Sequence, residues 1–299
     1  MIRLPADRIP QRGLALVAVL WMVAALTLLV ASLLTMSRAT TRSAQNHAAL
    51  VQATAAGDAA IQLALAESRH LPDNLGGSSG QYVFDGRSIR VELTPASGYI
   101  NINFAPPELL LELFQVAGGL DAGSAEGLAR RVVDWRDTDE EAYGGGSELE
   151  PYLAAGLAVR PRNGPFLSKE DLLQVAGIGL DLFARIEPLI TVWGSHRGVD
   201  PLAAPEGVLA VLAEGDLGLA QSIARQRAND GAMFDTSTLN PAYLGTGSAG
   251  VFHVQATVVM DDGASIVRSR WVEVRAGEDG TPWRSAATEP ARYAPALSN

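Results

Sequence analysis

An uncharged stretch at residues 14–36 begins directly after Arg12-Gly13 and contains no proline. As a helix rising 1.5 Å per residue it would run roughly 35 Å, enough to cross a bilayer core. A secretory signal has a shorter apolar core, about 7–15 residues, and ends at a small-x-small cleavage site. Here Ala31-Ser32 runs on into Leu33-Leu34, with no helix breaker before Arg38. The stretch therefore reads as a retained membrane helix. Arg3, Arg8 and Arg12 precede it while Arg38 and Arg42 follow, so the positive-inside bias favours a cytoplasmic N-terminus.

The remainder of the 299 residues is long enough for one large or two medium domains, and 47% hydrophobic content supports a packed core. The chain has no cysteine, which excludes disulfides and thiolate metal sites. The formal charge is −10, and Lys169 is the only lysine among 23 basic residues. A nucleic-acid binder needs a concentrated basic face, so this balance argues against that class. His47, His70, His196 and His253 are scattered, without metal-ligand spacing.

Residues 37–68 lack proline, are rich in alanine, and place Leu50, Thr54, Gly57, Ile61 and Leu65 at helical steps. The membrane helix is thus expected to continue to about Glu67, on the order of 80 Å in all. Alternating runs around Asp85-Gly86 and around Asp262-Gly263 read as two β-hairpins. "GYININ" reads as a further short strand closed by Pro106-Pro107. Between the strands, residues 105–239 give two or three capped helical pairs, each with a glycine-containing turn. The plan is α+β with a helical insertion. The tail from Gly277 carries three prolines and little periodicity, and is expected to be disordered.

Two glycine patterns are decoys. Gly76-x-Ser78-x-Gly80 precedes a strand instead of following one, and Gly245-x-Gly247-x-x-Gly250 opens a strand and not a helix. "VAGIG" at 175–179 matches a helix-hairpin-helix turn, but only Lys169 and Arg185 lie near it, so helix packing is favoured over phosphate binding.

The segment "DWRDTDEEAYGGGSELEPY" holds seven carboxylates within 134–150, relieved only by Arg136. They repel unless solvated or neutralised by a cation. Asp137, Asp139, Glu141, the Tyr143 carbonyl, Gly145 and Glu148 fall on the ligand ladder of an EF-hand loop, except that Ala142 stands where the turn wants glycine. Hard oxygen donors on a glycine-rich loop favour calcium. Paired carboxylates could serve acid–base catalysis, but no histidine partner or nucleophile accompanies them, so an enzyme is not expected.

Arg12-Gly13 and its uncharged run resemble the class III signal of type IV pilin-like proteins, in which prepilin peptidase cuts after the glycine, here Gly13, leaving Leu14 as the new N-terminus. The whole chain is similar to the K-type minor pseudopilins of bacterial type II secretion systems. The residues that carry this are "GYININFAPPELL", "VVDWRDTDEEAYGGGSELEPYL", "PFLSKEDLLQVAGI" and "ARQRANDGAMFDTSTL".

The resemblance implies a type IV pilin-like fold, a long N-terminal α-helix on an antiparallel β-sheet, with a large insertion of helix-hairpin-helix-like repeats. It divides the chain into a leader (1–13), a membrane or filament-core helix (14–36), pilin-like helix and first strands (37–103), the insertion (104–240), C-terminal strands (241–276) and a tail (277–299). It implies Ca2+ bound by Asp134, Asp137, Asp139, Glu148 and Glu150; Leu149 departs from the family, standing where an acidic residue is common. The partners implied are the I-type and J-type minor pseudopilins at the filament tip, the major pseudopilin filament, prepilin peptidase, the inner membrane and exported protein, with no nucleic acid. The body would be periplasmic. Ala18 would be the fifth residue of the processed chain, where most such proteins carry glutamate. The alternative reading is a membrane-anchored helix-hairpin-helix DNA-binding protein of the competence type.

Overall fold

The computed structural model describes residues 14–68, 78–230, 235–245, 250–260, 263–274 and 283–294. The leader, with Gly13, lies outside them. The chain forms two compact units, Met1–Ala55 and Ala56–Asn299, and helix α1 (Leu14–Ser68) contributes to both.

In the first unit, α1 is long and apolar enough to cross a membrane. Its Leu20, Trp21, Met22 and Leu28 side chains are exposed, as a lipid-facing helix requires. Thr27 and Thr35 return their hydroxyls to carbonyls three and four residues back, which satisfies them without water.

In the second unit, the end of α1 buries Ala56, Ala60, Ile61, Ala64 and Leu65 against the sheet. Asp58 takes 2.8 Å ion pairs from both Arg268 and Arg270. The first hairpin is β1 (Ser78–Phe84) and β2 (Arg87–Pro95). Its turn residues Asp85 and Gly86 have φ of 50° and 74°, the left-handed pair of a type I′ turn. Ile89, Val91 and Leu93 alternate inward along β2.

The "GYININ" segment yields a strand of only two residues, β3 (Ile100–Asn101). It pairs in parallel with β4 (Ile190–Thr191), outside the main sheet. Its asparagines are used to hold the insertion. Asn101 Nδ2 donates to the carbonyls of Trp193 (2.9 Å) and Gly194 (3.1 Å). Asn103 donates to the Phe166 carbonyl at 3.0 Å and accepts from its amide at 2.8 Å. Gly98 is required just before, because a Cβ there would lie 2.5 Å from the Ala203 carbonyl oxygen.

The insertion follows as α2 (Pro107–Glu112), running into a π turn at Leu113–Ala117, and α3 (Ala122–Arg136), capped by Asp121 accepting the Ser124 amide at 3.0 Å. After α4 (Glu150–Ala154) come a 3-10 turn (Lys169–Gln174) with α5 (Leu180–Ile186), then α6 (Glu206–Leu212) with α7 (Leu217–Asp230). Gly119, Gly177 and Gly215 make the intervening turns at φ of 65°, 94° and 88°. The middle pair therefore opens with a 3-10 turn where an α-helix was expected. One core joins these helices, built on Leu110, Phe114, Trp135, Tyr152, Phe166 and Leu209.

The chain returns to the sheet as β5 (Val251–Val259) and β6 (Ser265–Val274). The expected disordered tail instead contains β7 (Trp283–Thr288) and β8 (Arg292–Ala294), both paired antiparallel with β6. The full order is β1-β2-β5-β6-β7, antiparallel throughout. Glu289, between the last two strands, accepts from Ser269 (2.7 Å), Trp271 (3.1 Å) and Lys169 (3.1 Å), while Arg268 donates to its carbonyl at 2.6 Å. Backbone pairing with β6, the packing of Ala286 and Ala287 on the Trp271 cluster and the polar contacts of Glu289 together hold this segment.

Candidate metal centre

The acidic segment joins the C-terminus of α3 to α4. Arg136, the last residue of α3, donates to the carbonyls of Ile102 (2.7 Å) and Ala105 (2.6 Å). Those bonds aim the helix end, and with it the loop. Burial, and then the nearby charge of Arg197, lower its pKa to about 10. Trp135 stacks on Phe166 with ring centroids 5.8 Å apart, so the helix end is fixed on its apolar side as well.

The structure brings one carboxylate oxygen each of Asp134, Asp137 and Glu148 within 4.8 Å of one another. Asp134 and Glu148 are buried. Asp134 Oδ1 accepts the Tyr143 amide at 2.7 Å, whereas Asp137 Oδ1 and Glu148 Oε1 are buried without a hydrogen-bond partner. Buried carboxylate oxygens that converge without donors are costly unless a proton or a cation sits among them. Two oxygens each about 2.4 Å from one ion are at most about 4.8 Å apart, so the three residues fit a shared hard cation.

The electrostatics agree. Burial first, then the charges of Asp137, Asp134 and Asp139, push Glu148 up to about 7. Asp137 is raised by burial and by Asp139 and Asp134; Asp134 is raised mainly by burial, against the Tyr143 hydrogen bond.

The remaining acidic residues sit elsewhere. Asp139 and Glu150 are exposed and outside the converging set. Asp139 accepts the Glu141 amide at 2.9 Å, and its carbonyl accepts from Asn163. Glu150 occupies the first turn of α4, where its charge suits the helix N-terminus. The EF-hand ladder is not adopted. Glu141 and Ser147 instead form an antiparallel bridge, with Ala142 N–H donating to the Gly146 carbonyl at 3.1 Å. Gly144, Gly145 and Gly146 have φ of 100°, 96° and 103°, which explains why Ala142 is tolerated: the tight reversal comes two to four residues later. Asp134, outside the ladder, belongs to the converging set, whereas Glu141 does not. The Tyr143 amide and Asn163 escape sequence reasoning, because neither is acidic; only the triple glycine hints at the hairpin.

Residues 102–195 match the family model described as "Type II secretion system (T2SS), protein K". Type II secretion system protein K of Pseudomonas aeruginosa is 25% identical over 273 residues, covering 83% of this chain and 82% of that protein. A chain of the crystal structure of the GspK-GspI-GspJ complex from the enterotoxigenic Escherichia coli type 2 secretion system superposes with a TM-score of 0.54 at 17% identity. The match covers 83% of this chain and 98% of that one. The fold is α+β, with a long N-terminal helix and an antiparallel sheet, and it is similar to that of the K-I-J complex chain. The likeness to type II secretion system protein K thus rests on the matched segment 102–195 and on a relative aligned over most of the chain.

Proposed function

We propose that this subunit is a structural, non-catalytic cap of the pseudopilus, assembled with I-type and J-type minor pseudopilins and promoting export of folded proteins. The observation that carries the reading is the fold agreement with a chain of the GspK-GspI-GspJ complex over almost all of that chain. The apolar start of α1 anchors the protein in the inner membrane once, with the body in the periplasm. Prepilin peptidase removes residues 1–13, so that Leu14 opens the mature chain.

Ca2+ is the cation held by Asp134, Asp137 and Glu148. It supplies positive charge that converts three repelling carboxylates into a fixed joint between α3 and α4. Asp139, though outside the converging set, adds to the negative potential there, its charge being one of those that raise Glu148. Backbone carbonyls and water complete a coordination of about six to eight oxygens.

The test is reconstitution. Full-length chain is co-expressed with its I-type and J-type partners and prepilin peptidase, then purified in detergent. The proposal expects co-elution as one complex, with an N-terminal sequence beginning at Leu14. Separate elution of the three subunits contradicts the assembly, and an uncleaved N-terminus contradicts the processing.

A further inference from the structure

The sheet has two edges, β1 on one side and β7 with β8 on the other, and they are built differently. β7 carries Arg284, ion-paired to Glu273 at 3.0 Å, and its pairing with β6 shifts register between Trp271 and Val272. Charge and irregularity of this kind protect an edge against further pairing. β1, "SSGQYVF", has neither: it is uncharged, free of proline, and in unbroken register with β2 from Ser78↔Leu93 to Phe84↔Arg87.

The register fixes which groups are free. In a hairpin closed by a two-residue turn, the flanking pair Phe84–Arg87 exchanges hydrogen bonds, and bonded pairs then alternate along the ladder. Tyr82 and Gly80 therefore point their amides and carbonyls at β2. Ser79, Gln81 and Val83 point theirs away, and no strand pairs with that side among the described residues. The same three side chains are exposed, Val83 by 76%. Tyr82 pins the strand to α1 through a 2.7 Å hydrogen bond to Glu67, so the edge is held ready. Ser78 and Ser79 also line one side of a polar cleft of about 900 Å³ that is otherwise walled by the sheet and the insertion, including Lys169, Glu187 and Glu289.

From this contrast we infer that the outer edge of β1 is a docking surface for an extended backbone segment of a partner pseudopilin, added to the sheet as a further strand. A row of donors and acceptors that no other described strand pairs specifies an extended chain. A bare edge is an aggregation hazard for a protein that must diffuse alone, but not for one whose edge is covered on permanent assembly. A second copy of this chain is disfavoured by its net charge of −10. The inference rests on the proposed assembly with I-type and J-type subunits and names the surface it uses.

The experiment measures backbone amide exchange over residues 78–84 in the full-length protein in detergent, alone and with the full-length I-type and J-type subunits. Exchange is expected to slow at least tenfold on complex formation. Gln81→Pro removes an outward N–H while leaving the β1–β2 hydrogen bonds intact; it should keep the melting temperature within a few degrees and weaken the complex at least tenfold. A complex that forms with unchanged exchange at 78–84, or that tolerates Gln81→Pro, overturns the docking surface and leaves the assembly standing. Absence of any complex overturns both. Slowed exchange in the protein alone, with a dimer in sedimentation, overturns the choice of occupant.

Discussion

The amide of Tyr143 donates a 2.7 Å hydrogen bond to Oδ1 of Asp134, nine residues earlier in the chain. That bond ties the hairpin of the acidic loop to the last turn of α3, so the residue that anchors the loop is also the one that faces Asp137 and Glu148. Loop order and the convergence of the three carboxylates are thereby coupled.

Calcium should stabilise the protein through this site. An ion bound only by the folded state contributes about 2.7 kcal/mol at one hundred times its dissociation constant, which for a body of this size raises the melting temperature by roughly 5–10 °C. Asp134→Asn keeps an acceptor for Tyr143 and should abolish most of that rise, whereas Glu150→Gln should retain it. Scanning calorimetry of the detergent-solubilised full chain, with calcium and with chelator, checks both. Equal melting temperatures for the unsubstituted protein would remove calcium from the account.

The pH dependence has a defined sign. Glu148 is raised from 4.5 to about 7 in the folded protein, so its protonated form contributes stability that is fully present below about 4.5 and is lost as pH rises through 7. Asp134 and Asp137 shift in the same direction. In chelator the protein should melt higher at pH 5 than at pH 8. With calcium the ion replaces the proton, so the gain from added calcium should be large at pH 8 and small at pH 5. A calcium effect independent of pH would contradict the assignment of Glu148.

Lys169 bridges Glu187 of the insertion and Glu289 of the C-terminal segment, with only 13% of its side chain exposed. Lys169→Met leaves two carboxylates without their shared cation. Because both remain partly solvated, the expected loss is about 2–3 kcal/mol, below the 3–5 kcal/mol of a fully buried pair. Denaturant unfolding measures it; a loss under about 0.5 kcal/mol would mean the bridge is immaterial.

Much of this was legible in the sequence. The length of the uncharged, proline-free run 14–36 and the helical spacing in the alanine-rich continuation specify α1, and Asp85-Gly86 fixes a hairpin because few residues accept two positive φ values in succession. The acidic loop was legible as chemistry but not as geometry. Carboxylate spacing pointed to an EF-hand, whereas the convergence of Asp134, Asp137 and Glu148 depends on backbone bonds at Tyr143 and Gly146 that leave no mark in a pattern of charges. β7 and β8 were missed for a related reason: Glu289 holds them through Lys169, Ser269 and Trp271, which are distant in sequence or polar.

Ala18 bears on position in the filament. A glutamate buried in an apolar helix bundle without a terminal amine opposite it faces a desolvation penalty of several kcal/mol. A subunit with nothing ahead of it does better with alanine. Ala18→Glu should therefore lower the number of pseudopili per cell while leaving the folded body and its calcium response unchanged. Normal assembly by the Glu variant would show that this electrostatic argument does not govern the subunit.

The central claim, a capping subunit, is tested most directly by position. Gold-labelled antibody against the insertion, applied to pseudopili isolated from cells expressing the native protein, should mark one end of each filament and no other place. Label distributed along the shaft at high copy would contradict it.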